Sequence, residues 1–403
     1  MTEVAVLGYG VVGSGTVEVL EKNAGAISKN AGQRVHIKSI LEIRDFPDSP
    51  HKEKFVKNFE DIENDEDISI VAEVIGGVDV ALDYTRRALK ARKSVVTSNK
   101  EIVATHGYEL LKLAAENGVN YLFEASVGGG IPVIRPIVQC IAGNKITEIY
   151  GILNGTTNYI LSEMELKGLE FDTALSDAQK KGYAESDPTA DVEGIDACRK
   201  ICILSSLAFG RHIYPEQVPT IGIGSITPDD IGFAAQLGYK IKLLGRSRAV
   251  GDKVSAYVAP HLVSFDNMLS HVSGVMNGVV IRGNAVGDVM FYGAGAGKLP
   301  TASAVVADII DAVKHRYARK MISWGEGGED FDSDPIELES AWYIRTDTKP
   351  EKVEREFGSV TFAPNMDGKT IAFKTGSLNG KKVNDLINRG VPALSIFRIL
   401  GDH

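Results

Sequence analysis

A glycine-rich turn close to the start of the chain constrains the fold more than any other feature. The apolar run at residues 3–7 predicts a short buried strand, and Gly8-Tyr9-Gly10-Val11-Val12-Gly13 follows it and opens a helix. In this spacing the first glycine permits a tight turn, the second admits a pyrophosphate to the backbone, and the third lets the helix pack on the strand. The sequence therefore favours a dinucleotide-binding turn over a glycine turn without a ligand. The predicted cofactor-binding residues are Gly8, Gly10, Val11, Val12 and Gly13.

Strands and helices continue to alternate through the first third of the chain. Strands are predicted at residues 35–43, 68–75, 94–97 and 121–125, with a helix at residues 80–91. Mostly apolar strands that alternate with helices are typical of a parallel sheet covered on both faces. We therefore expect an α/β, Rossmann-type dinucleotide-binding domain.

The end of the second predicted strand carries two opposing signals for the type of cofactor. Glu42 is placed to accept the ribose hydroxyl groups of NAD, whereas Arg44 is placed to bind the 2′-phosphate of NADP. Lys52 and Lys54 follow nearby and add positive charge. Both cofactors remain open at this point, and the basic residues favour NADP.

Composition excludes several other classes of protein. The chain has 403 residues, enough for two or three domains, and its net charge of −9 argues against a nucleic-acid-binding surface. No apolar run approaches the roughly 20 residues of a membrane span, and no signal peptide precedes the first strand. Cys140, Cys198 and Cys202 are too few for a disulfide framework, which favours the reducing cytoplasm.

A dense group of carboxylates near the middle of the chain is the strongest candidate for chemistry. Five acids precede one lysine within a short stretch: Glu185, Asp187, Asp191, Glu193, Asp196 and then Lys200. A helix is predicted at about residues 191–209, before Gly210, and it places Asp196 and Lys200 on one face. A lysine beside an acid at the start of a buried helix acts either as a tuned proton donor or as an ordinary ion pair.

Two motifs in this region resemble the homoserine dehydrogenase family. Residues 185–200 keep the spacing of one family signature, and Asn154-Gly155-Thr156-Thr157-Asn158-Tyr159-Ile160-Leu161 is similar to the other. The resemblance covers residues 3–320. It implies an NAD(P)-dependent enzyme that interconverts L-homoserine and L-aspartate 4-semialdehyde in threonine, methionine and isoleucine biosynthesis. The absence of an aspartokinase segment before residue 3 indicates a monofunctional enzyme.

The resemblance also assigns roles to individual residues. Lys200 is the expected acid/base and Lys100 its assistant, which also contacts the nicotinamide. Asp196 would orient Lys200, Glu185 would hold the substrate ammonium, and Asp191 would support either the substrate pocket or Lys100. Gly182 and Gly297 are expected to contact the cofactor.

A second glycine-rich stretch, at residues 126–132, follows the last predicted strand of the first domain. The family uses this loop to hold a monovalent cation, often sodium. By resemblance, Glu124 and the backbone of Val127, Gly129 and Ile131 supply the oxygen ligands. A tight turn or a phosphate-facing loop would have the same spacing, so these alternatives stay open.

The remaining chain completes the predicted domain organisation. We expect a dinucleotide-binding domain at residues 1–135 with a return segment at 300–322, an α+β catalytic and dimerisation domain at 136–299, and a linker at 323–339. Residues 340–403 resemble a small ACT-like regulatory domain. However, residues 346–356 lack the glycine turn of an effector site. We therefore expect a homodimer or homotetramer in which this region contributes to assembly and the active site works without it.

Two other functions are compatible with a dinucleotide-binding turn. The first is a catalytically inactive dinucleotide-binding regulatory protein, which the presence of both lysines and the full set of acids disfavours. The second is a semialdehyde dehydrogenase that forms a thioester, which requires a nucleophilic cysteine that none of the three cysteines resembles.

Overall fold

The computed structural model describes residues 1–318, 320, 322–364 and 369–401. Its chain forms two compact units. The first unit comprises Met1–Ile146, Cys202–Pro215 and Gly283–Gly328. The second unit comprises Thr147–Ile201, Glu216–Arg282 and Glu329–His403. Among the described helices, none has the length and apolar character that crossing a membrane requires.

The elements are numbered in chain order. The strands are β1 Thr2–Leu7, β2 Val35–Leu41, β3 Phe55–Val56, β4 Ile68–Glu73, β5 Ser94–Thr97, β6 Tyr121–Leu122, β7 Ile146–Ile152, β8 Tyr239–Val250, β9 Lys253–Ser264, β10 Met276–Gly283, β11 Gly287–Ala294, β12 Trp342–Thr346, β13 Thr361–Phe362, β14 Ile371–Lys374 and β15 Ser395–Leu400. The helices are α1 Val11–Lys22, α2 Ala24–Ala31, α3 Glu60–Glu63, α4 Asp79–Lys90, α5 Lys100–Asn117, α6 Gly155–Lys167, α7 Phe171–Lys180, α8 Thr189–Val192, α9 Ile195–Phe209, α10 Pro228–Gln236, α11 Lys298–Lys314, α12 Pro350–Phe357 and α13 Gly380–Asn388.

The first unit contains the predicted Rossmann-type sheet. Its strands lie in the order β3-β2-β1-β4-β5-β6, and every pairing is parallel. The chain reverses its direction of travel through the sheet between β1 and β4. Ligands bind in the crevice at the carboxyl ends of strands beside such a reversal. This arrangement confirms the predicted Rossmann-type domain and locates the expected cofactor crevice next to Gly8.

Several strand ends differ from the prediction. The second strand ends at Leu41 and β4 ends at Glu73, each two residues early. The last predicted strand of this unit, residues 121–125, consists only of Tyr121–Leu122 and is followed by a 3₁₀ turn at Glu124–Ser126. In each case a glutamate turns its carboxylate toward backbone N–H groups, and these contacts replace the expected strand ladder.

The second unit is built on a mixed sheet. Its strands lie in the order β10-β7-β8-β9-β15-β12-β14-β13. The longest pairing joins β8 and β9 in antiparallel register from Tyr239↔Ser264 to Val250↔Lys253. Sequence analysis missed β8, because its buried Lys242 and Arg246 interrupt the apolar pattern. These observations support the expected α+β character of this part of the chain.

The helix predicted over residues 191–209 is two helices. A short helix, α8, ends at Val192, and α9 begins at Ile195. Gly194 lies between them with φ of +79°, a left-handed conformation that a helix interior excludes. The break changes the direction of the chain between Asp191 and Asp196. Within the predicted return segment, the helix α11 occupies Lys298–Lys314.

The observed units differ from the predicted domain bounds. The first boundary lies at Ile146/Thr147 instead of 135/136, and the return to the first unit begins at Gly283 instead of 300. The predicted linker at 323–339 is packed, because Trp324 is buried and donates from Nε1 to His212 Nδ1 at 2.9 Å.

The C-terminal residues have a defined topology within the second unit. Their order is β12-α12-β13-β14-α13-β15, and the strands lie antiparallel in the order β15-β12-β14-β13. This is the ferredoxin-like βαββαβ pattern. Apolar side chains from both helices and from β12 and β14 form its core. The last strand, β15, also pairs in parallel with β9, so the region continues the central sheet.

Candidate active site

The glycine loop of the first unit has the geometry that a pyrophosphate requires. Gly8 adopts a φ of +94°, and a Cβ atom on Gly13 would lie 2.0 Å from the carbonyl oxygen of Gly8. A Cβ on Gly10 would meet no atom within 4 Å, so the approach to this residue is open. The backbone of Val11 and Val12 begins α1 beside that open space. The loop therefore fits a dinucleotide phosphate at the positive end of α1.

A pocket of about 470 Å³ adjoins this loop. Its lining includes Gly8, Gly10, Glu42, Arg44, Lys57 and Tyr84. The position at the ends of β1, β2 and β4 is where the adenosine half of a dinucleotide binds in this fold. Sequence reasoning pointed to Lys52 and Lys54 as basic neighbours, but the pocket is lined by Lys57. Its Nζ donates to the carbonyl oxygens of Ile43 and Arg44 at 3.0 and 2.9 Å.

Glu42 and Arg44 form a pair inside this pocket. The guanidinium of Arg44 donates to both carboxylate oxygens of Glu42, from Nε at 3.1 Å and from Nη2 at 2.9 Å. The backbone amides of Tyr9 and Arg44 also donate to this carboxylate. The Arg44 hydrogen bond lowers the pKa of Glu42 to about 2. The carboxylate is therefore ionised and already occupied, while the guanidinium remains largely exposed.

Lys100 stands at the first turn of α5. Asn99 caps this helix by accepting from the amides of Glu101 and Ile102, and its Nδ2 donates to the carbonyl oxygen of Gly77 at 2.7 Å. The amide of Asn99 in turn donates to Thr97 Oγ1, and the Thr97 hydroxyl donates to Glu73. The position of Lys100 is thus set by a hydrogen-bonded series that begins at a buried carboxyl group.

Glu73 is the buried end of that series. It has no exposed surface, and burial raises its pKa from 4.5 to about 7. The amide of Ile75 donates to Oε1 at 2.8 Å, and the Thr97 hydroxyl donates to Oε2. Sequence analysis did not identify Glu73, because a single acid at the end of an apolar strand carries no recognisable motif.

The carboxylate of Glu124 is engaged by the backbone. Its Oε1 accepts from the amides of Val133 and Ile134 at 2.7 and 2.8 Å, and Oε2 accepts from the amide of Arg135 at 2.9 Å. These bonds fit a structural cap better than a side-chain ligand for a cation. Only the main-chain carbonyl of Glu124 fits the predicted ligand set.

The loop that contains Val127, Gly129 and Ile131 packs against the loop before α11. The amide of Gly130 donates to the carbonyl oxygen of Ala294 at 3.0 Å, and a Cβ on Gly129 would lie 2.4 Å from the carbonyl oxygen of Gly295. Gly297 follows with φ of +125° and precedes α11. The glycine-rich stretch at residues 126–132 and the loop that contains Gly297 therefore meet in the first unit.

In the second unit, four polar side chains converge at the end of β7. Lys200 donates from Nζ to Asp196 Oδ2 and to the carbonyl oxygen of Leu153, each at 2.8 Å. Asn154 donates from Nδ2 to Asp191 Oδ1 at 2.7 Å and to Asp196 Oδ2 at 2.8 Å. The structure thus brings together three predicted residues, Asp191, Asp196 and Lys200, through Asn154. We call these four residues the acid–lysine cluster.

Asn154 is the member of the cluster to which the sequence analysis gave no role, although it begins one of the two family motifs. Its Oδ1 accepts from the amide of Thr157 at 2.8 Å, so one side chain both caps α6 and bridges two carboxylates. The available signal was its position between an apolar strand and a helix, which is typical of an N-cap. Asn154, Asp196 and Lys200 are buried, with 4–6% of their surface exposed. A buried ammonium among oxygens is held in one orientation, as a positioned acid/base requires.

Glu185 and Gly182 lie on the exposed segment before α8. The segment is held by Gln179, which donates to the carbonyl oxygen of Glu185 at 3.1 Å, and by Thr156, which donates to that of Tyr183 at 2.7 Å. Lys100, Arg44 and Gly297 belong to the first unit, whereas the acid–lysine cluster belongs to the second.

The chain is similar to known homoserine dehydrogenases in sequence. The family model described as "Homoserine dehydrogenase" matches residues 132–310, and that described as "Homoserine dehydrogenase, NAD binding domain" matches residues 8–124. A homoserine dehydrogenase of Pseudomonas aeruginosa is 41% identical over 355 residues, which cover 86% of this chain and 82% of the relative.

Two solved structures are similar as well. The homoserine dehydrogenase of Thiobacillus denitrificans is 35% identical with a TM-score of 0.90, over 100% of this chain and 99% of that one. A hyperthermophilic archaeal homoserine dehydrogenase mutant in complex with NADPH is 29% identical with a TM-score of 0.66, over 77% of this chain and 97% of that one.

The buried carboxyl of Glu73 predicts a pH-dependent stability. Burial raises the pKa of Glu73 from 4.5 to about 7. The contribution of the protonated carboxyl to the free energy of unfolding is therefore complete below pH 4.5 and is lost as the pH rises through about 7. Glu73→Gln keeps the shape without the charge and should be more stable than the parent protein at pH 8 by up to about 3 kcal/mol. Urea unfolding at pH 5 and pH 8 measures the difference.

Glu109→Gln is the matched control for this experiment. Glu109 is an ion-paired surface acid of the same unit, and its hydrogen bond with Arg86 lowers its pKa. The free energy of unfolding of Glu109→Gln should change between pH 5 and pH 8 by the same amount as that of the parent protein. Equal unfolding free energies for Glu73→Gln and the parent at pH 8 would contradict a carboxyl that ionises in the folded state at a cost.

Proposed function

This chain belongs to the homoserine dehydrogenase family, and on that basis we propose that its acid–lysine cluster binds and protonates the substrate. It is an oxidoreductase that interconverts L-homoserine and L-aspartate 4-semialdehyde with a nicotinamide cofactor. The observation that carries the proposal is the buried ammonium of Lys200, which Asp196 and the carbonyl oxygen of Leu153 hold at 2.8 Å each. The cofactor, when bound, donates or accepts the hydride.

Lys200 is the proposed acid/base. Reduction of an aldehyde to an alcohol requires one proton on the carbonyl oxygen, and oxidation of the alcohol returns it. An ammonium N–H is suited to donate this proton, and the neutral amine is suited to accept it. Asp196 keeps the lysine in place and balances its charge, because a buried ammonium requires a partner.

The other acids have proposed roles in substrate binding. Asp191 is partly exposed and is oriented by Asn154, so one carboxylate oxygen is held while the other can bind a cationic group. Glu185 is exposed on the neighbouring segment and is proposed to accept the substrate ammonium. Lys100, at the N-terminus of α5, is proposed to assist at the substrate oxygen and the nicotinamide. Gly182 and Gly297 are proposed cofactor contacts.

NADP is the proposed preferred cofactor. Glu42 is occupied by four donor groups, so it is poorly placed to accept ribose hydroxyls, whereas Arg44 and Lys57 bring two positive charges to the pocket. A 2′-phosphate suits a cationic pocket. The similar archaeal enzyme in complex with NADPH also supports this choice.

Four further expectations from the sequence remain proposals. They are a structural sodium ion bound by Glu124 and by backbone oxygens of Val127, Gly129 and Ile131, assembly into a homodimer or homotetramer, a place in threonine, methionine and isoleucine biosynthesis, and a cytoplasmic location. The glycine-rich loop and the hard character of carbonyl oxygen ligands support the sodium ion.

Replacing Lys200 by alanine tests its proposed role. We expect turnover to fall roughly 10²- to 10⁴-fold, because the positioned proton donor is lost, while NADPH affinity stays nearly unchanged. Lys181→Ala is a suitable control, since Lys181 is an exposed lysine of the same unit that pairs with Asp177. Turnover of Lys200→Ala within threefold of the control would remove Lys200 from the mechanism.

Arg44→Ala tests the cofactor proposal. A charged hydrogen bond contributes about 1.5–3 kcal/mol, so NADP affinity should fall roughly ten- to a hundredfold while NAD affinity changes little. Lys52→Ala, outside the lining of the pocket, is the control. Isothermal titration with both cofactors gives the answer, and equal losses for NAD and NADP would show that another group sets the preference.

The sequence of the C-terminal region predicts an enzyme that threonine does not regulate. The loop after β12 carries Asp347, Thr348 and Lys349 without a glycine, and Pro350 then starts α12. Such a loop does not aim successive backbone groups at an amino acid. We expect millimolar threonine to leave the initial rate unchanged in an assay of NADPH oxidation. Saturable inhibition by threonine would restore a regulatory role for this region.

A further inference from the structure

A buried polar cluster joins the C-terminal strands to the N-terminus of α10. Asp230, on the first turn of that helix, has no exposed surface. It forms a capping box with Thr227, in which each side chain accepts from the other's backbone amide. A capping box alone satisfies the helix end and leaves the negative charge of a buried carboxylate without a cation.

The missing cation comes from β12. Arg345 donates from Nε to Asp230 Oδ1 at 2.7 Å, and from Nη2 to Asp230 Oδ2 at 3.3 Å and to Thr227 Oγ1 at 3.1 Å. The hydroxyl groups of Tyr343 and Ser395 also donate to Asp230, at 3.1 and 3.0 Å. Two strands of the C-terminal region therefore hold the same carboxylate, and we call this group of residues the Asp230 clamp.

The segment that enters α10 supports the turn between α8 and α9. The amide of Ile223 donates to the carbonyl oxygen of Val192 at 3.0 Å. A Cβ on Gly222 would lie 2.2 Å from that same oxygen, so the two backbones are in direct contact. Ile223 and Ile226, between this contact and Thr227, are both buried. A shift at the start of α10 would therefore act on Val192 through a few packed residues.

The supported turn carries the acid–lysine cluster. Asp191 precedes Val192, and Asp196 follows Gly194, whose φ of +79° fixes the angle between the two helices. A Cβ on Gly194 would lie 3.0 Å from Thr220 Cγ2, in the same entering segment, and 3.2 Å from Val258 Cγ1 of β9, so this turn is packed against both. The distance between Asp191 and Asp196, which Asn154 bridges, depends on this packing.

We propose that Arg345 is a positioning residue for the reaction, because it holds the start of α10 and thereby the Val192–Gly194 turn that places Asp191 and Asp196. This inference rests on the proposed role of the acid–lysine cluster. It replaces the expectation that the active site works unchanged without the C-terminal region. The region has this effect through a fixed contact, and no effector is required.

Steady-state kinetics of Arg345→Met test the proposal. With the clamp broken, kcat/KM for homoserine should fall roughly 3- to 30-fold, while KM for NADP stays within twofold, because the residues that line the pocket beside the glycine loop lie in the first unit. Arg345→Lys should recover part of the loss, since a lysine reaches Asp230 without also bonding Thr227 and Ser395. Each assay is run well below the melting temperature of its variant.

Arg398→Met separates positioning from a general loss of stability. Arg398 is a buried arginine of the same region, and it donates to the carbonyl oxygens of Pro335 and Leu338 at 2.7 and 3.3 Å, with no bond to α10. This variant should have a lower melting temperature than the parent protein but the same kcat/KM for homoserine. If Arg345→Met matches the kinetics of the parent, or if both variants lose the same activity, the proposal is overturned.

If Arg345→Met does not fold, the kinetics of Arg345→Lys test the proposal instead. A parent-like kcat/KM for homoserine in Arg345→Lys would then overturn the proposal. The underlying site is tested separately by Lys200→Ala. An active Lys200→Ala would refute the role of the cluster, whereas an inactive Lys200→Ala with parent-like Arg345→Met would refute the clamp alone.

Discussion

A buried pairing of one ammonium with one carboxylate, Lys200 with Asp196, is the interaction on which the proposed chemistry depends. Burying two charges is unfavourable unless each finds further partners, and here the carbonyl oxygen of Leu153 and the side chain of Asn154 supply them. Both partners follow the end of β7, and Asn154 is also the N-cap of α6. The same requirement explains why the helix break at Gly194 matters, since a continuous helix would carry Asp191 in another direction.

Local sequence patterns predicted the first unit well because its constraints are local. The strand, the three glycines and the following helix are adjacent in the chain. Two of the glycines have a local steric reason, since Gly8 adopts a positive φ and a Cβ on Gly13 would collide with the carbonyl oxygen of Gly8. The same holds for Lys200 and Asp196, which share a helical face four residues apart. Strand ends were less predictable, because Glu42, Glu73 and Glu124 bond to backbone groups that the pattern does not indicate.

The second unit shows where the sequence carries too little information. Asn154 meets Asp191 and Asp196 across 37 and 42 positions, and no periodicity predicts that encounter. The long strand β8 was missed because Lys242 and Arg246 are buried in it. The C-terminal region was expected to stand alone, yet β15 pairs with β9 and Arg345 bonds Asp230. Such pairings join residues that are far apart in the chain, so the local sequence around either partner does not predict them.

The most direct measurement of the central claim is a crystal structure of the enzyme with homoserine and oxidised cofactor bound together. The account predicts that the substrate hydroxyl oxygen lies about 3 Å from Lys200 Nζ, within hydrogen-bond distance, while Lys200 keeps its bond to Asp196. A complex in which that oxygen bonds a different proton donor, with Lys200 still enclosed by Asp196 and Leu153, would contradict it.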